Sequence, residues 1–221
     1  MARQQPPQAP PPVMKLLVRY GRLDRMRFAS ARDFARAFER GLRRADVPMA
    51  YSSGFSPHPR ISYVNPAPTG VKSQAEYVVI GLSQTRDPAE IRKRLNEAMP
   101  GGFPILEVTP TPPQPAFEAS QWEIHLPEAN PEQLQEAVAR FEAQTEVTVE
   151  RETKNGLRVF DARGPVQACA ANEDRLVVVI RHTEPLVRPT DVVNALLTLG
   201  LEPGPSAITR LSQGPVSALT H

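Results

Sequence analysis

Four of the eleven residues from Thr109 to Ala119, "TPTPPQPAFEA", are proline. Proline fixes φ and removes a backbone donor, so neither a helix nor an interior strand runs through such a segment. The chain must therefore fold as two parts, with 110–119 as a semi-rigid linker. A second proline-rich stretch opens the chain: residues 2–12 are Gln, Pro and Ala with one Arg, which predicts a disordered or polyproline-like N-terminus over 1–13. The closing "SQGPVSALTH" reads as a loose tail over 213–221. Two folding segments remain, 14–109 and 120–212, each large enough for a small domain.

Both segments carry alternating strand and helix signals. In the first, "KLLVRYGR" reads as a strand with Leu17 and Leu16 as its inward candidates. A helix over Ser30–Ala45 follows, then strands "RISYVNP" and "AEYVVIGL". A second helix has Asp87 as cap and Pro88 at its first position, and "FPILEVTP" closes the segment as a strand. In the second segment, strand "QWEIHLP" precedes a helix opened by Asn130-Pro131. "TEVTVERET" and "LRVFDAR" read as a hairpin turned at Lys154-Asn155-Gly156. Strand "DRLVVVIRHT", a helix capped by Thr190 and strand "SAITRLSQ" complete it. The orders are β-α-β-β-α-β and β-α-β-β-β-α-β. Together they predict an α+β protein of two tandem ferredoxin-like subdomains.

Cys169 is the single cysteine, which excludes an internal disulfide and any site built on several thiolates. A reducing cytoplasm fits this. No apolar run reaches the roughly 18 residues of a membrane span, and the N-terminus has no apolar core like that of a secretory signal. His58, His125, His182 and His221 are scattered without ligand spacing, so the expectation is no metal and no cofactor. The net charge of +2 hides an asymmetry: Met14–Arg60 holds eleven Lys/Arg and four Asp/Glu, a net +7, and the remainder carries −5. A local positive excess of this size suits a polyanion partner.

Five of those eleven basic residues lie on the first helix, "SARDFARAFERGLRRA". Ser30 is a good cap and Asp33 suits the helix start. At 100° per residue Phe34, Phe38 and Leu42 share one face with Ala31, Ala35 and Ala45. Arg32, Arg36, Arg40, Arg43 and Arg44 form a ridge on another. Pairs Asp33–Arg36 and Glu39–Arg43 answer part of the charge. Arginine forks suit phosphate oxygens; a solvated face with intrahelical pairs is the competing reading.

The loop that follows, "SGFSPHPRIS", holds two prolines that push Ser56 and His58 toward extended geometry. Gly54 permits a sharp turn. Preorganisation of this kind lowers the entropic cost of binding. Ser52, Ser53 and Ser56 offer hydroxyls, Arg60 a fork, and Phe55 a ring for stacking or anchoring. Three roles are open to His58: ligand binding, structural hydrogen bonding, or general-base catalysis of RNA cleavage.

These residues closely resemble the radical-SAM-linked domain of unknown function, a bacterial family found alone or fused behind a cobalamin-type radical-SAM domain. The family pattern falls on Arg27, Phe28, Ser30 and Asp33, on Leu42–Ala45, on Tyr51, Ser52 and Gly54–Ser62, and on Pro68, Gly70, Ser73, Glu76 and Tyr77. A second block falls on Lys154, Gly156, Arg158, Asp161 and Arg163. Here Asp161 and Arg163 alternate onto one strand face as a candidate ion pair, with Arg158 opposite; the competing reading is an exposed hairpin with ordinary charges. One departure stands out: Ala31 occupies a position where the family pattern has histidine. This chain resembles the standalone form, because it lacks the C-x-x-x-C-x-x-C motif of radical-SAM enzymes. The resemblance implies a separately encoded radical-SAM partner. It also implies a loose link to RNA, through neighbouring genes for ribosomal proteins and a ribonuclease.

The leading expectation is a nonenzymatic RNA-binding or substrate-presenting module. Its anion-binding set is Arg32, Arg36, Arg40, Arg43, Arg44, Ser52, Gly54, Phe55, Ser56, His58, Arg60, Lys154, Arg158 and Arg163. The alternatives are an RNA endonuclease or modifying enzyme that uses His58, and a protein adaptor that docks the radical-SAM partner.

Overall fold

The computed structural model describes residues 8–112, 115–154, 156–202 and 204–220. The first seven residues of the proline-rich N-terminus, Pro113 and Gln114 of the linker, Asn155 of the hairpin turn and His221 of the tail lie outside the described residues. The chain divides into two compact units between Pro115 and Ala116.

The first unit runs β1 (Met14–Arg22), a short 3-10 helix (Asp24–Phe28), α1 (Ala31–Arg44), β2 (Ile61–Val64), β3 (Lys72–Leu82), α2 (Pro88–Ala98) and β4 (Ile105–Pro110). All pairings are antiparallel: β4 on β1, β1 on β3, and β2 on β3. Leu16 lies opposite Ile80 and Val18 opposite Val78. With Tyr20 and Leu82 these side chains form the buried face of the sheet. The alternation therefore turns Leu16 inward and leaves Leu17 half-buried on the other side, against the expectation that Leu17 leads. Phe34, Phe38 and Leu42 of α1 and Ile91 and Leu95 of α2 cover that face.

Helix α1 differs from its sequence reading in one respect. Its buried face is completed by Ala37, Gly41 and Ala45, whereas Ala31 is exposed and Ala35 half-buried. The helix packs so closely over Gly41 that a Cβ there would meet Met99 Sδ at 2.6 Å. Residues 8–13 are held rather than loose: Val13 N–H donates to Leu82 O (2.9 Å) and Ala9 N–H to Ser53 Oγ (2.9 Å).

The second unit runs β5 (Ala119–His125), α3 (Pro131–Glu142), β6 (Thr148–Thr153), β7 (Gly156–Asp161), β8 (Val166–Asn172), β9 (Arg175–Arg181), α4 (Pro189–Thr198) and β10 (Ala207–Gly214). A short 3-10 helix, Val216–Ala218, follows. Pairing is antiparallel in the order β10-β5-β9-β8, and β6–β7 form a separate hairpin. Strand β8, "VQACAAN", is the element the sequence reading lacks. Its alanines, Gln and Asn have little strand propensity. It forms because β9 offers a full edge for pairing, with Val166 and Cys169 buried in return. At α4 the expected cap also moves. The helix starts at Pro189, which suits the first turn, and the Asp191 carboxylate accepts the Arg188 N–H (2.7 Å).

The hairpin is fastened to α4 by Arg151, which donates to Asp191 Oδ2 (2.6 Å) and to Leu186 O (3.2 Å). The Asp191 side chain is 2% exposed and that of Arg151 16%. Removing one partner of such a pair strands the other charge. Asp191→Ala should destabilise the second unit by on the order of 3 kcal/mol in urea unfolding, and Arg151→Met with Asp191→Leu should recover most of that loss.

His182 is a second internal fastening. Its Nδ1 lies 2.8 Å from Phe117 O and its Nε2 2.8 Å from the buried Ser120 Oγ. A neutral ring serves both, donating to the carbonyl and accepting from the hydroxyl. Burial holds its pKa below the ordinary value, against a smaller opposing push from the Phe117 carbonyl. The unfolded chain therefore takes up the proton first as pH falls. The contribution of His182 is complete above about pH 6.5, the unfolded value, and is lost as pH falls from there through the lower folded value. Denaturant midpoints measured between pH 8 and 5 should show this decline, and His182→Gln should flatten it.

Candidate functional site

Helix α1 carries the first group of candidates. Asp33 Oδ2 accepts the Ser30 hydroxyl (2.7 Å) and the Ser30 N–H (3.2 Å), while Ser30 Oγ accepts the Asp33 N–H (3.1 Å). These bonds to Ser30 hold the Asp33 carboxyl below its ordinary pKa. Among the described residues, the expected pairs Asp33–Arg36 and Glu39–Arg43 do not form: Asp33 is committed to the cap, and Glu39 lies near Tyr63. Arg32, Arg36, Arg40 and Arg43 are exposed and make no ion pair or side-chain hydrogen bond within the described residues. Arg44 differs, since its guanidinium donates to Ala98 O at the end of α2. Four forks thus project from one side of the helix, with i, i+4 neighbours about 6 Å apart along the axis.

The loop after α1 is a closed structure. Ala50 N–H donates to Gly81 O, Arg60 N–H to Ala50 O and Gly81 N–H to Arg60 O. Ser52 N–H donates to His58 O (2.8 Å) and His58 N–H to Ser52 Oγ (3.0 Å). Arg60 Nε donates to Tyr51 O (3.1 Å). Ser52 and Arg60, candidates for binding, therefore close the neck of the loop. Gly54 sits at φ +115°, open only to glycine at low cost. The tip presents Phe55 (61% exposed), Ser56 and His58 to solvent. The His58 ring makes no hydrogen bond within the described residues, so no neighbour fixes its tautomer as a general base needs.

The structure adds a site at the other end of α1. A cavity of about 90 Å³ is lined by Tyr20 and Arg22 of β1, Ala31 and Phe34 of α1, Tyr63 of β2, and Pro66. Tyr20 and Phe34 stack at 3.9 Å, and Tyr63 stands perpendicular to Phe34 with ring centroids 6.0 Å apart. Arg22 is 3% exposed. Its Nη1 donates to Ala67 O (2.7 Å) and its Nη2 to Arg27 O (2.9 Å) and Ala29 O (3.0 Å). The Ala67 N–H in turn donates to the buried Glu76 Oε2 (3.0 Å), so one peptide links the guanidinium to a carboxylate. Arg22 Nε is buried with no partner among the described residues. Burial and the charge of Glu39 push the Tyr63 hydroxyl up to about 12, so it stays a neutral donor. A signal for this site existed in the sequence: Arg22 follows Leu16, Val18 and Tyr20 at the inward parity of β1.

Lys154 and Arg158, on the hairpin of the second unit, are exposed. Arg163 is not available in the same way. It lies beyond the end of β7 and donates to Phe141 O (3.1 Å), Val166 O (3.0 Å) and Glu142 O (3.4 Å). Asp161 does not pair with it but accepts the N–H groups of Val147, Arg163 and Gly164. Arg163 thus serves as a clamp on three carbonyls. Cys169 is buried, and its thiol is pushed up to about 12 by burial and by Glu142, so it stays an unreactive core group. Among the described residues no group of His, Cys, Asp and Glu is placed to share a metal ion, and no helix is long and apolar enough to cross a membrane.

These features define an α+β protein with an arginine-faced helix between a closed loop and a small aromatic cavity. Residues 15–189 match the model of the family described as an uncharacterised protein conserved in bacteria (DUF2344), and the chain belongs to that family. No curated protein matches it. Among solved structures it is similar to an unknown protein from Galdieria sulphuraria. The identity is 15%, the match covers 89% of this chain and 98% of that one, and the TM-score of 0.28 is too low to carry an argument.

The two arginine environments of the second unit separate by stability. Arg163→Ala should lower unfolding free energy by about 2 kcal/mol, because three carbonyls lose a charged donor. Lys154→Ala and Arg158→Ala should each stay within about 0.5 kcal/mol of the parent in urea titrations.

Proposed function

We propose that the protein is a nonenzymatic RNA-binding module that serves a separately encoded radical-SAM partner in the cytoplasm. The observation that carries this reading is the row of Arg32, Arg36, Arg40 and Arg43 on one exposed side of α1, none paired with an acid in the described residues. Four exposed guanidinium groups without an ion-pair partner among the described residues suit a phosphate backbone. The exposed Phe55 at the loop tip supplies a ring on which a base can stack. The radical-SAM connection rests on the motif resemblance alone.

The same reading takes each unit as a ferredoxin-like subdomain, over 14–109 and 120–212. The pairing orders β4-β1-β3-β2 and β10-β5-β9-β8 support it, since each places the first and third strands of a split β-α-β unit at the centre. In the second unit the β6–β7 hairpin is then an insertion between α3 and β8.

Fluorescence anisotropy with a single-stranded RNA, titrated with salt, tests the binding claim. The variant Arg36→Ala/Arg40→Ala/Arg43→Ala should lose at least about ten-fold in affinity, and the slope of log K against log salt should become shallower by about 2, from three contacts at ~0.7 each. Unchanged affinity, or no binding by the parent near physiological salt, overturns the reading. In the latter case, retention of a protein partner from nuclease-treated lysate would favour the adaptor.

A further inference from the structure

The two faces of the β6–β7 hairpin differ in character. Strand residues alternate sides, and the register sets Val149 opposite Phe160 and Arg151 opposite Arg158 on one face. That face is the anchored one. Val149 and Phe160 are buried, and Arg151 is tied to Asp191 and to Leu186 O. The other face pairs Glu150 with Val159 and Glu152 with Leu157. All four are exposed, Leu157 at 60% and Val159 at 56%. Neither glutamate has an ion-pair partner among the described residues. Among those residues the ribbon also pairs with no further strand.

A single exposed aliphatic residue is ordinary. Two side by side, each across from an acid, on the free face of a ribbon fastened from behind, form a patterned patch. The pattern is two parallel columns, aliphatic along β7 and acidic along β6. Neighbours within a column are about 6.6 Å apart, two residues of strand. The columns are about 5 Å apart, across one strand pair. A helix offers nearly the same lattice. Its i, i+4 residues are about 6 Å apart along the axis, and its i, i+3 neighbours have Cβ atoms about 5–6 Å apart. An aliphatic column at i, i+4 can therefore lie on Leu157 and Val159 while Lys or Arg at i+3, i+7 meets Glu152 and Glu150. A phosphate chain fits badly here, because it would face two carboxylates. A strand added to the ribbon's edge would bond to main chain and leave these columns uncovered.

We propose that the free face of the β6–β7 hairpin docks an amphipathic helix of a partner protein, one whose apolar stripe is bordered by Lys or Arg. The inference goes beyond the RNA-binding reading and does not depend on it, since it uses none of the α1 arginines. Leu157 and Val159 supply the apolar area removed from water. Glu150 and Glu152 set the register and reject an acidic helix. Arg158 alternates to the anchored side and Lys154 sits at the turn, so neither belongs to the face. The Arg151–Asp191 pair fits this reading as the fastening that holds a docking face in place.

The test uses the full chain and helical peptides on an alanine background. The probe carries Leu at i, i+4 and Lys at i+3, i+7. One control has Glu in place of Lys, and the other has Ala in place of Leu. Followed by NMR, the probe should give saturable shifts at the Leu157 and Val159 methyl groups, and both controls should give none. In anisotropy with the labelled probe, Leu157→Ser/Val159→Ser should weaken binding about ten-fold. Glu150→Gln/Glu152→Gln should also weaken it and make it less sensitive to salt. All four positions are exposed, so urea midpoints should match the parent. Equal binding of the leucine-free control would reduce the face to a bare charge patch and overturn the proposal, as would full affinity in both double variants. Shifts at Leu157 that grow with protein concentration alone would put a second copy on the face and overturn the partner helix. A parent that binds single-stranded RNA but not the probe refutes the docking face and leaves the ridge. One that binds the probe but no RNA refutes the ridge reading and leaves the docking face.

Discussion

Helix α1 can bury only one side. Phe34, Phe38 and Leu42 recur at i, i+4 and bring the helix down on Leu16, Val18, Val78 and Ile80. Gly41 lets its backbone approach Met99. Once that face is fixed, 100° per residue leaves Arg32, Arg36, Arg40 and Arg43 no place except solvent. The arginine ridge is the geometric complement of the core, so its position is as rigid as the packing beneath it. Where the helix starts is fixed separately by the reciprocal Ser30–Asp33 cap. That cap sets Ala31 beside the cavity and commits the Asp33 carboxylate to Ser30 rather than to an ion pair.

Polar groups in the interior are handled by backbone partners more than by opposite charges. Arg22 reaches three carbonyls, Arg163 three more, and Asp161 gathers three amides. Fixed peptide dipoles solvate these groups at sites where chain segments turn or end and carbonyls lie unused by the sheet. Arg151–Asp191 is a direct pair, and even there Asp191 also accepts a helix-start amide. For arginines, charge in a sequence is therefore a poor guide to function until the local carbonyls are counted. Arg163 and Arg44 look like Arg158 and Arg43 in the sequence, yet each is bonded to main chain.

That distinction separates what was legible in the sequence from what was not. Among the described residues, the α-helices α1–α4 and most strands follow from periodicity, caps and turn residues, all local properties. Strand β8 was not legible, because "VQACAAN" becomes a strand only through the edge of β9. The inward face of β1 was misread at Leu17 because two leucines are adjacent, and pairing register alone decides between them. At the site, the ridge was visible as a helical pattern. The roles of Ser52 and Arg60 were not, since each depends on a partner six or nine positions away across a closed loop.

The cavity shows why a departure from a sequence pattern can carry more information than agreement with it. Ala31 faces neither the core nor the arginine side alone; it lines a space bounded by Tyr20, Phe34 and Tyr63. A larger residue at that position would occupy part of the same space, and an imidazole would bring its own hydrogen-bonding groups near Arg22. Alanine lines that side of the space with a single methyl group.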